Sequence, residues 1–359
     1  MKITAATHRT CFQAMHDPGW KFARAAVPAI EGHVLVLTDD EGHEGLGYVH
    51  AIPAITTSGA AAAATLDFVA PLLVGRSLGE LGAIAEAVDR LVAFQPSVKA
   101  AVDMALHDLL ARRLGVPVHV LLGGRQRDSV TLSRILAIKS PAEMAERAAE
   151  LAAEGYTQLK LKLSGDSDED VARVAAVRQA VGSAARLTLD PNQSYSAKQM
   201  MRAFARMERH DIALIEQPVP SADWAGLALL TRTLPVDIEA DESAQTLHDV
   251  QRLVAERTVD VINLKVTKLG GLRRFMQAVH VCEAGEVGCR MGAAFGPALM
   301  QAMSLQAASA IRHLPHACEL AEHLQLRNDP FTPLHVEAGV LAVPEGPGCG
   351  VTWAEAGGR

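Results

Sequence analysis

Five charged residues stand at near-equal intervals through the middle of the chain, each closing an apolar run: Lys162, Asp190, Glu216, Asp241 and Lys265. The steps between them are 28, 26, 25 and 24 residues. Asp190, Glu216 and Asp241 are hard oxygen donors, and without His or Cys beside them they suit Mg²⁺ better than Zn²⁺. Each has polar followers able to brace it: Asn192, Gln217, and Glu242 with Ser243. An ammonium inside a barrel is costly unless paired or deprotonated. Lys160 and Lys162 repel one another, and a metal would add positive charge, so the sequence favours a neutral amine at Lys162 and a base near neutral pH. Lys265 lies several strands further on. A carboxylate substrate held on the metal then has one amine on each face. One removes the proton next to the carboxylate, the metal stabilises the enediolate, and the other returns a proton from the opposite side. That is a 1,1-proton transfer, a racemisation or epimerisation. Lys268 is out of phase with Lys265 on a strand, so a supporting electrostatic role or simple exposure is expected. Asp237 and Glu239 share the phase of Asp241 and are assigned to a polar barrel floor or a bulged strand.

The elements that must position these groups follow from the same spacing. Leu159-Lys160-Leu161-Lys162-Leu163 alternates with period two, so on a strand both lysines leave one face and the leucines the other. Alone, such a strand would keep its lysines in water, and a single carboxylate would be read as a cap for the next helix. Recurrence at the length of one strand–loop–helix–loop unit changes the reading. If parallel strands close into a barrel, all five ends meet at its carboxyl rim.

The rhythm starts near residue 128, with a first strand at 130–137 and a helix opened by Ser140-Pro141-Ala142-Glu143. Further helices are expected at 168–181, 196–209, 223–233, 246–257, 272–284 and 296–313. Weaker strands at 287–291 and 316–319 bring the count to eight. Residues 1–125 lack the rhythm and read as an α+β unit: strands at 3–9, 33–38 and 45–49, then helices at 58–74, 80–93 and 97–114, the last stopped by Gly115-Val116-Pro117. The loop 14–21, with Trp20, is either a connector or a lid over a site. After Pro330 the chain turns strand-like again at 335–337 and 340–343, too late for the barrel. The expected division is a capping domain (1–125), a barrel (126–330) and a segment (331–359) returning to the cap.

The chain has 359 residues, 49% of them hydrophobic and 4% aromatic, with a net charge of −7 spread throughout. No basic stripe suggests nucleic acid, and charges interrupt every apolar stretch well short of a membrane span. Five scattered cysteines without a CxxC pair read as reduced thiols. No signal-like run follows Met1, and Gly357-Gly358-Arg359 shows no targeting tail, so a cytoplasmic protein acting on a small-molecule carboxylate is expected.

Read together, Leu-Lys-Leu-Lys-Leu (159–163), Leu-Asp-Pro-Asn-Gln (189–193), Ile-Glu-Gln-Pro (215–218), Ala-Asp-Glu-Ser (240–243) and Asn-Leu-Lys-Val-Thr-Lys-Leu-Gly-Gly (263–271) resemble the enolase superfamily, specifically its muconate lactonizing enzyme subgroup. The helix around 101–110 and the exit Leu121-Leu122-Gly123-Gly124 look similar too. Lysine or histidine bases working beside Mg²⁺ are the general pattern of that superfamily. The resemblance implies an α/β fold: a (β/α)₇β TIM-like barrel with an N-terminal α+β capping domain completed by the C-terminal tail. It implies Mg²⁺ on Asp190, Glu216 and Asp241 and acid/base roles for Lys162 and Lys265. Lys160 would tune Lys162 and touch the substrate carboxylate, and residues 17–21, with Trp20, would form a mobile specificity loop. Asp241 and Lys265 favour this subgroup over the mandelate racemase subgroup. Homo-oligomers are common in the family, which makes one the expectation.

Members racemise N-acyl amino acids, epimerise dipeptides or betaines, cycloisomerise muconates, or dehydrate to o-succinylbenzoate. Dipeptide epimerases carry Asp-x-Asp at the eighth strand. Here the stretch is Glu319-Leu320-Ala321, which leaves Glu319 to meet a cationic amine, with Glu322 either joining it, capping, or facing solvent. Gly47-Tyr48-Val49 replaces the more usual Gly-Glu. The leading expectation is a Mg²⁺-dependent racemase or epimerase of an amino-acid derivative. A cycloisomerase or syn-dehydratase would need only one lysine. A non-catalytic scaffold would have no use for five charged strand ends.

Overall fold

A computed structural model describes residues 1–354; the terminal Gly357-Gly358-Arg359 lies outside them. The chain begins with a three-stranded antiparallel meander, Ile3–Ala14, Ala29–Asp39 and Glu44–Val49, with the second strand in the middle. The first strand runs five residues beyond the expected end because its pairing with Ala29–Asp39 continues to Ala14↔Ala29. Helices Gly59–Leu73, Leu81–Leu91 and Pro96–Leu114 cover one face. Leu35, Leu37 and Val49 pack there against Leu66, Val98 and Leu106. Gly45 and Gly47 allow the closest approach: a Cβ on either would collide with the carbonyl of Ala105 or Ala101 in the third helix.

The barrel follows. Seven parallel strands pair in chain order: Ser133–Leu136, Gln158–Lys162, Arg186–Asp190, Ile212–Glu216, Asp237–Ala240, Val261–Leu264 and Gly288–Met291. Helices lie between them, and three open with reciprocal capping boxes: Ser140 with Glu143, Ser196 with Gln199, and Thr246 with Asp249. Leu159, Leu161 and Leu163 are fully buried in the layer between sheet and helices, against Val174, Leu187 and Leu189. Burying each leucine contributes roughly 1.5–3 kcal/mol. A one-residue slip would exchange leucines for lysines, so this packing fixes which face Lys160 and Lys162 must take.

Two expected strands take a different form. The run 130–137 changes partners at Leu132: Ser129–Thr131 pairs antiparallel with Val340–Ala342, and only Ser133–Leu136 joins the barrel. The eighth segment, 316–319, makes no regular ladder. It still closes the ring, since Glu319 N–H donates to Met291 O (2.9 Å), Cys318 N–H to Thr131 O (2.9 Å), and Ser133 N–H to Cys318 O (2.8 Å).

Beyond Val340–Ala342 the chain reaches the cap. Gly348 exchanges backbone hydrogen bonds with Val116 and Val118 (both 2.9 Å), and Cys349 N–H donates to Asp108 Oδ1 (2.6 Å). All five cysteines are buried, and among the described residues none is paired. Among these residues, too, no helix is long and apolar enough to cross a membrane.

Candidate active site

The rim of the barrel is built from the strand ends just described. Lys160 and Lys162 both point inward from Gln158–Lys162, and both are buried. Asp190 and Glu216 are the last residues of their strands; Asp241 and Lys265 are the first beyond theirs. All five sequence-selected charges therefore converge, together with Lys268, Glu319 and Glu242.

Lys162 Nζ donates to Asp190 Oδ2 at 2.5 Å, and Lys265 Nζ to Asp241 Oδ2 at 2.6 Å. Lys160 Nζ lies deeper, between Glu216 Oε2 (2.7 Å), Asp190 Oδ2 (2.9 Å) and Glu319 Oε1 (2.9 Å). Beneath it, the buried Arg290 reaches Glu216 (3.2 Å), Glu239 (3.0 Å) and Glu319 (2.8 Å), and its Nε donates to Ala317 O. Glu239 is thus part of a polar floor, as one of the two expectations had it. Asp237 lies at the other end of the same strand, on His316 Nε2 at 2.8 Å.

The charges respond to this crowding. Burial opposes ionisation of Asp190, but Lys160 and Lys162 outweigh it and hold the carboxyl well below the usual range. Lys265 and Lys268 do the same for Asp241. Burial and the neighbouring Asp190 carboxylate push Glu216 the other way, upward. Burial opposes the charge on Glu319 as well, yet Arg290 and Lys160 bring it down to about 2.

Burial disfavours the Lys160 ammonium, but Asp190, Glu216 and Glu319 together hold it charged. Of the two roles expected for Lys268, the structure shows the supporting one and not exposure. After Lys265 the chain turns into the short helix Val266–Leu269, so strand alternation no longer applies. Lys268 Nζ comes back onto Asp241 Oδ1 (2.7 Å), Asp241 O (2.7 Å) and Asn263 O (2.8 Å). Glu322 neither caps nor faces solvent. It heads the 3₁₀ turn Glu322–Gln325 and is itself fully buried, which pushes its carboxyl up to about 7. Glu319 is not free for a cationic amine from outside, because Lys160 and Arg290 already occupy it.

The polar followers hydrogen-bond to the rim. Gln217 Oε1 accepts from the N–H groups of Asp241 (2.9 Å) and Ser243 (3.0 Å). Asn192 N–H donates to Asp190 Oδ1 (2.9 Å), and its Nδ2 lies 3.4 Å from Glu242 Oε1. Asn192 and Gln217 both have positive φ, 46° and 36°. Backbone held in that region by its surroundings is typical of functional loops.

Above the rim is a cavity of about 400 Å³. The lysines form its base and the cap its roof. The loop 14–21 is packed as a lid: buried Trp20 meets Phe295 edge-on, with ring centroids 4.7 Å apart, and also contacts Phe22. Phe22 belongs to the small hairpin Lys21–Phe22/Ala25–Ala26 and sets its ring 5.8 Å from Lys162 Nζ. Sequence reasoning missed Arg290, His50 and Phe295. Arg290 left one trace, a charge between Cys289 and Met291 inside a strand.

Two family descriptions match: Enolase C-terminal domain-like over residues 143–357, and Mandelate racemase / muconate lactonizing enzyme, N-terminal domain, over residues 8–123. The chain belongs to the enolase superfamily. Within it, the chain falls in the subgroup of muconate lactonizing enzymes and epimerases. It is 35% identical over 271 residues to a hydrophobic dipeptide epimerase of Enterococcus faecalis, covering 74% of this chain and 76% of that one. It is also 35% identical over 287 residues to muconate cycloisomerase 1 of Rhodococcus opacus, covering 79% and 77%. The solved dipeptide epimerase of Enterococcus faecalis, complexed with Mg and the dipeptide L-Leu-L-Tyr, superposes with a TM-score of 0.94 at 29% identity, over 98% of this chain and 100% of that one.

Enolase-superfamily membership implies an enzyme with a divalent-metal site. Among the described residues, no three His, Cys, Asp or Glu side chains form a ready-made cation cluster. Lysine nitrogens stand among the carboxylates instead, Lys160 Nζ lying between Asp190 and Glu216. The donor set nevertheless fits a hard cation. Asp190, Glu216 and Asp241 supply only carboxylate oxygens, and Glu216 is raised partly by negative charge crowding it. Asn192 Oδ1 and Glu242 Oε2 are buried beside them without a hydrogen-bond partner.

Proposed function

We propose that the protein is a Mg²⁺-dependent racemase or epimerase that moves the proton alpha to a carboxylate of an amino-acid derivative. The placement of Lys162 and Lys265 supports this reading. Their strands are second and sixth in the eight-segment ring, four places apart in either direction, so the two amines face each other across the cavity. Each holds a different carboxylate, Asp190 or Asp241.

Asp190, Glu216 and Asp241 would hold the cation, which when bound would neutralise charge developing on the substrate carboxylate. Lys162 and Lys265 both border the cavity that would receive the substrate. Lys162 removes the α-proton from one face, and Lys265 donates one to the other. For the opposite enantiomer the roles reverse. Lys160, kept cationic by three carboxylates, orients the substrate carboxylate from the floor of the cavity. Lys268 holds Asp241 in place. Trp20 and Phe22 exclude water above Lys162, which strengthens every electrostatic contact below them.

The test uses purified protein with Mg²⁺ in D₂O and a panel of N-acyl, N-methyl and dipeptide substrates, followed by NMR at Cα. Deuterium should enter from both enantiomers. No uptake from any carboxylate, with the fold intact, would overturn the assignment. A second reading, cycloisomerisation, draws support from the equal 35% identity to the muconate enzyme. Lys265→Ala separates the two: a cycloisomerase can work with one lysine, whereas a racemase loses turnover.

A further inference from the structure

His50 follows directly on the cap strand Glu44–Val49 and lines the active-site cavity. It is 3% exposed, and neither ring nitrogen has a hydrogen-bond partner. Its backbone is tied down: the carbonyl accepts from Ser97 Oγ and Thr56 Oγ1, both at 2.7 Å. The ring is therefore held in place while its own hydrogen-bonding capacity goes unused. Buried imidazoles are ordinarily satisfied, so an unpartnered one bordering a cavity points to the occupant of that cavity.

We propose that His50 is a specificity-determining residue that hydrogen-bonds an uncharged amide on the substrate nitrogen, on the Lys265 side of the reacting carbon. This rests on the racemase or epimerase reading above and names the substrate class within it.

The chemistry of the surroundings selects an amide. Burial, then the charge of Lys265, pushes the imidazole down to about 3, so it is neutral and offers one N–H donor and one acceptor nitrogen. An acylated nitrogen presents a matching carbonyl acceptor and N–H donor. An ammonium presents donors alone and adds positive charge to a wall that already carries Lys162, Lys265, Lys268 and Arg24; besides Asp241 its one lining carboxylate is Glu242, which already feels the charges of Lys265 and Lys162. Asp241 cannot offset it, because two lysines hold that carboxylate. Glu319 is held by Lys160 and Arg290, and the next inward position of its segment is Ala321.

The experiment compares wild type with His50→Phe and His50→Asn in Mg²⁺ buffer. The substrates are N-acetyl amino acids and the corresponding free amino acids, and the readout is Cα–H exchange in D₂O. Wild type should exchange N-acetyl substrates and leave the free amino acids untouched. In His50→Phe the KM for the N-acetyl substrate should rise roughly ten- to hundredfold with kcat changed far less, as for loss of one hydrogen bond to a buried group. His50→Asn, which keeps a donor and an acceptor, should recover part of that loss. An unchanged KM in His50→Phe, or equal exchange of free amino acids by wild type, overturns the proposal. If no substrate is exchanged, the catalytic reading fails. His50 is then judged separately by calorimetric titration of wild type and His50→Phe with N-acetyl-leucine: tighter binding to wild type supports its role, and equal or absent binding overturns it. Circular dichroism and thermal melting confirm that each variant is folded.

Discussion

Lys160 and Lys162 leave the same face of one strand, two residues apart, and end in different surroundings. Lys160 joins the floor, where it meets three carboxylates, as does Arg290 below it. Lys162 belongs to the rim, with one carboxylate partner and an aromatic ring, and Lys265 across the ring likewise has one carboxylate. Both layers pair basic side chains with carboxylates, and the rim is somewhat more exposed, but the number of partners differs. A cation shared among three carboxylates is fixed by the fold. One on a single carboxylate can change partner and move a proton.

The largest effect should come from the rim. Lys162→Ala and Lys265→Ala should each lower turnover by about 10³-fold, within the range for one general acid–base group, and leave the melting temperature nearly unchanged. Each variant should still exchange the α-proton of one enantiomer, a different one in each case. NMR on the separated enantiomers checks this, and identical behaviour of the two variants would break the comparison.

The floor should respond in stability. Arg290→Met leaves Glu239 as a buried charge without its cationic partner, a loss of about 3–5 kcal/mol, readable by denaturant unfolding. Replacing Glu239 by Leu in the same chain should restore much of it, because the pair is then removed together.

Glu322 lies buried near both layers, and its carboxyl is raised from 4.5 to about 7. In the folded protein it keeps its proton at pH values where the unfolded chain has already lost one. Stability therefore falls as pH rises from 4.5 to about 7 and levels off above that. Glu322→Gln should remove this slope, making the variant more stable at pH 8 by roughly 3 kcal/mol and little different at pH 4. Equal unfolding free energies for the two proteins at pH 8 would count against a buried acid that keeps its proton near neutral pH.

The smallest effect is expected on the lid. Lys139 and Asp17 form a partly exposed pair at 3.0 Å. Lys139→Ala should change stability by no more than about 0.5 kcal/mol, and less at high salt. A larger change in melting experiments would mean that the lid, like the floor, is held by charge rather than by Trp20 and Phe22.

The sequence is most legible where structure is local. Alternation in 159–163 reports its own phase, and equal spacing reports the recurrence of a unit, so the five strand ends and the meander of the cap can be read directly. Partner choice is a tertiary property. Nothing near Arg290 names Glu239, 51 residues away, or Glu319. Lys268 can be given a supporting role but not a partner, because a single helical turn interrupts the strand's phase. Glu322 escapes it because a 3₁₀ turn folds back under the lid. The first strand of the barrel looks continuous because Ser129–Thr131 and Ser133–Leu136 are equally apolar in pattern; only the arrival of Val340–Ala342 divides them.

Asp108 sits fully buried in the long cap helix and accepts from the N–H groups of Leu46 and Cys349, the latter 241 residues further along. On the ribosome, residues of the cap emerge before those of the barrel, yet this carboxylate lacks one of its donors until Cys349 has been translated. The contact that ties the cap helix to the C-terminal segment therefore forms only after the barrel sequence has been made, joining the first-made and last-made parts of the chain at one carboxylate.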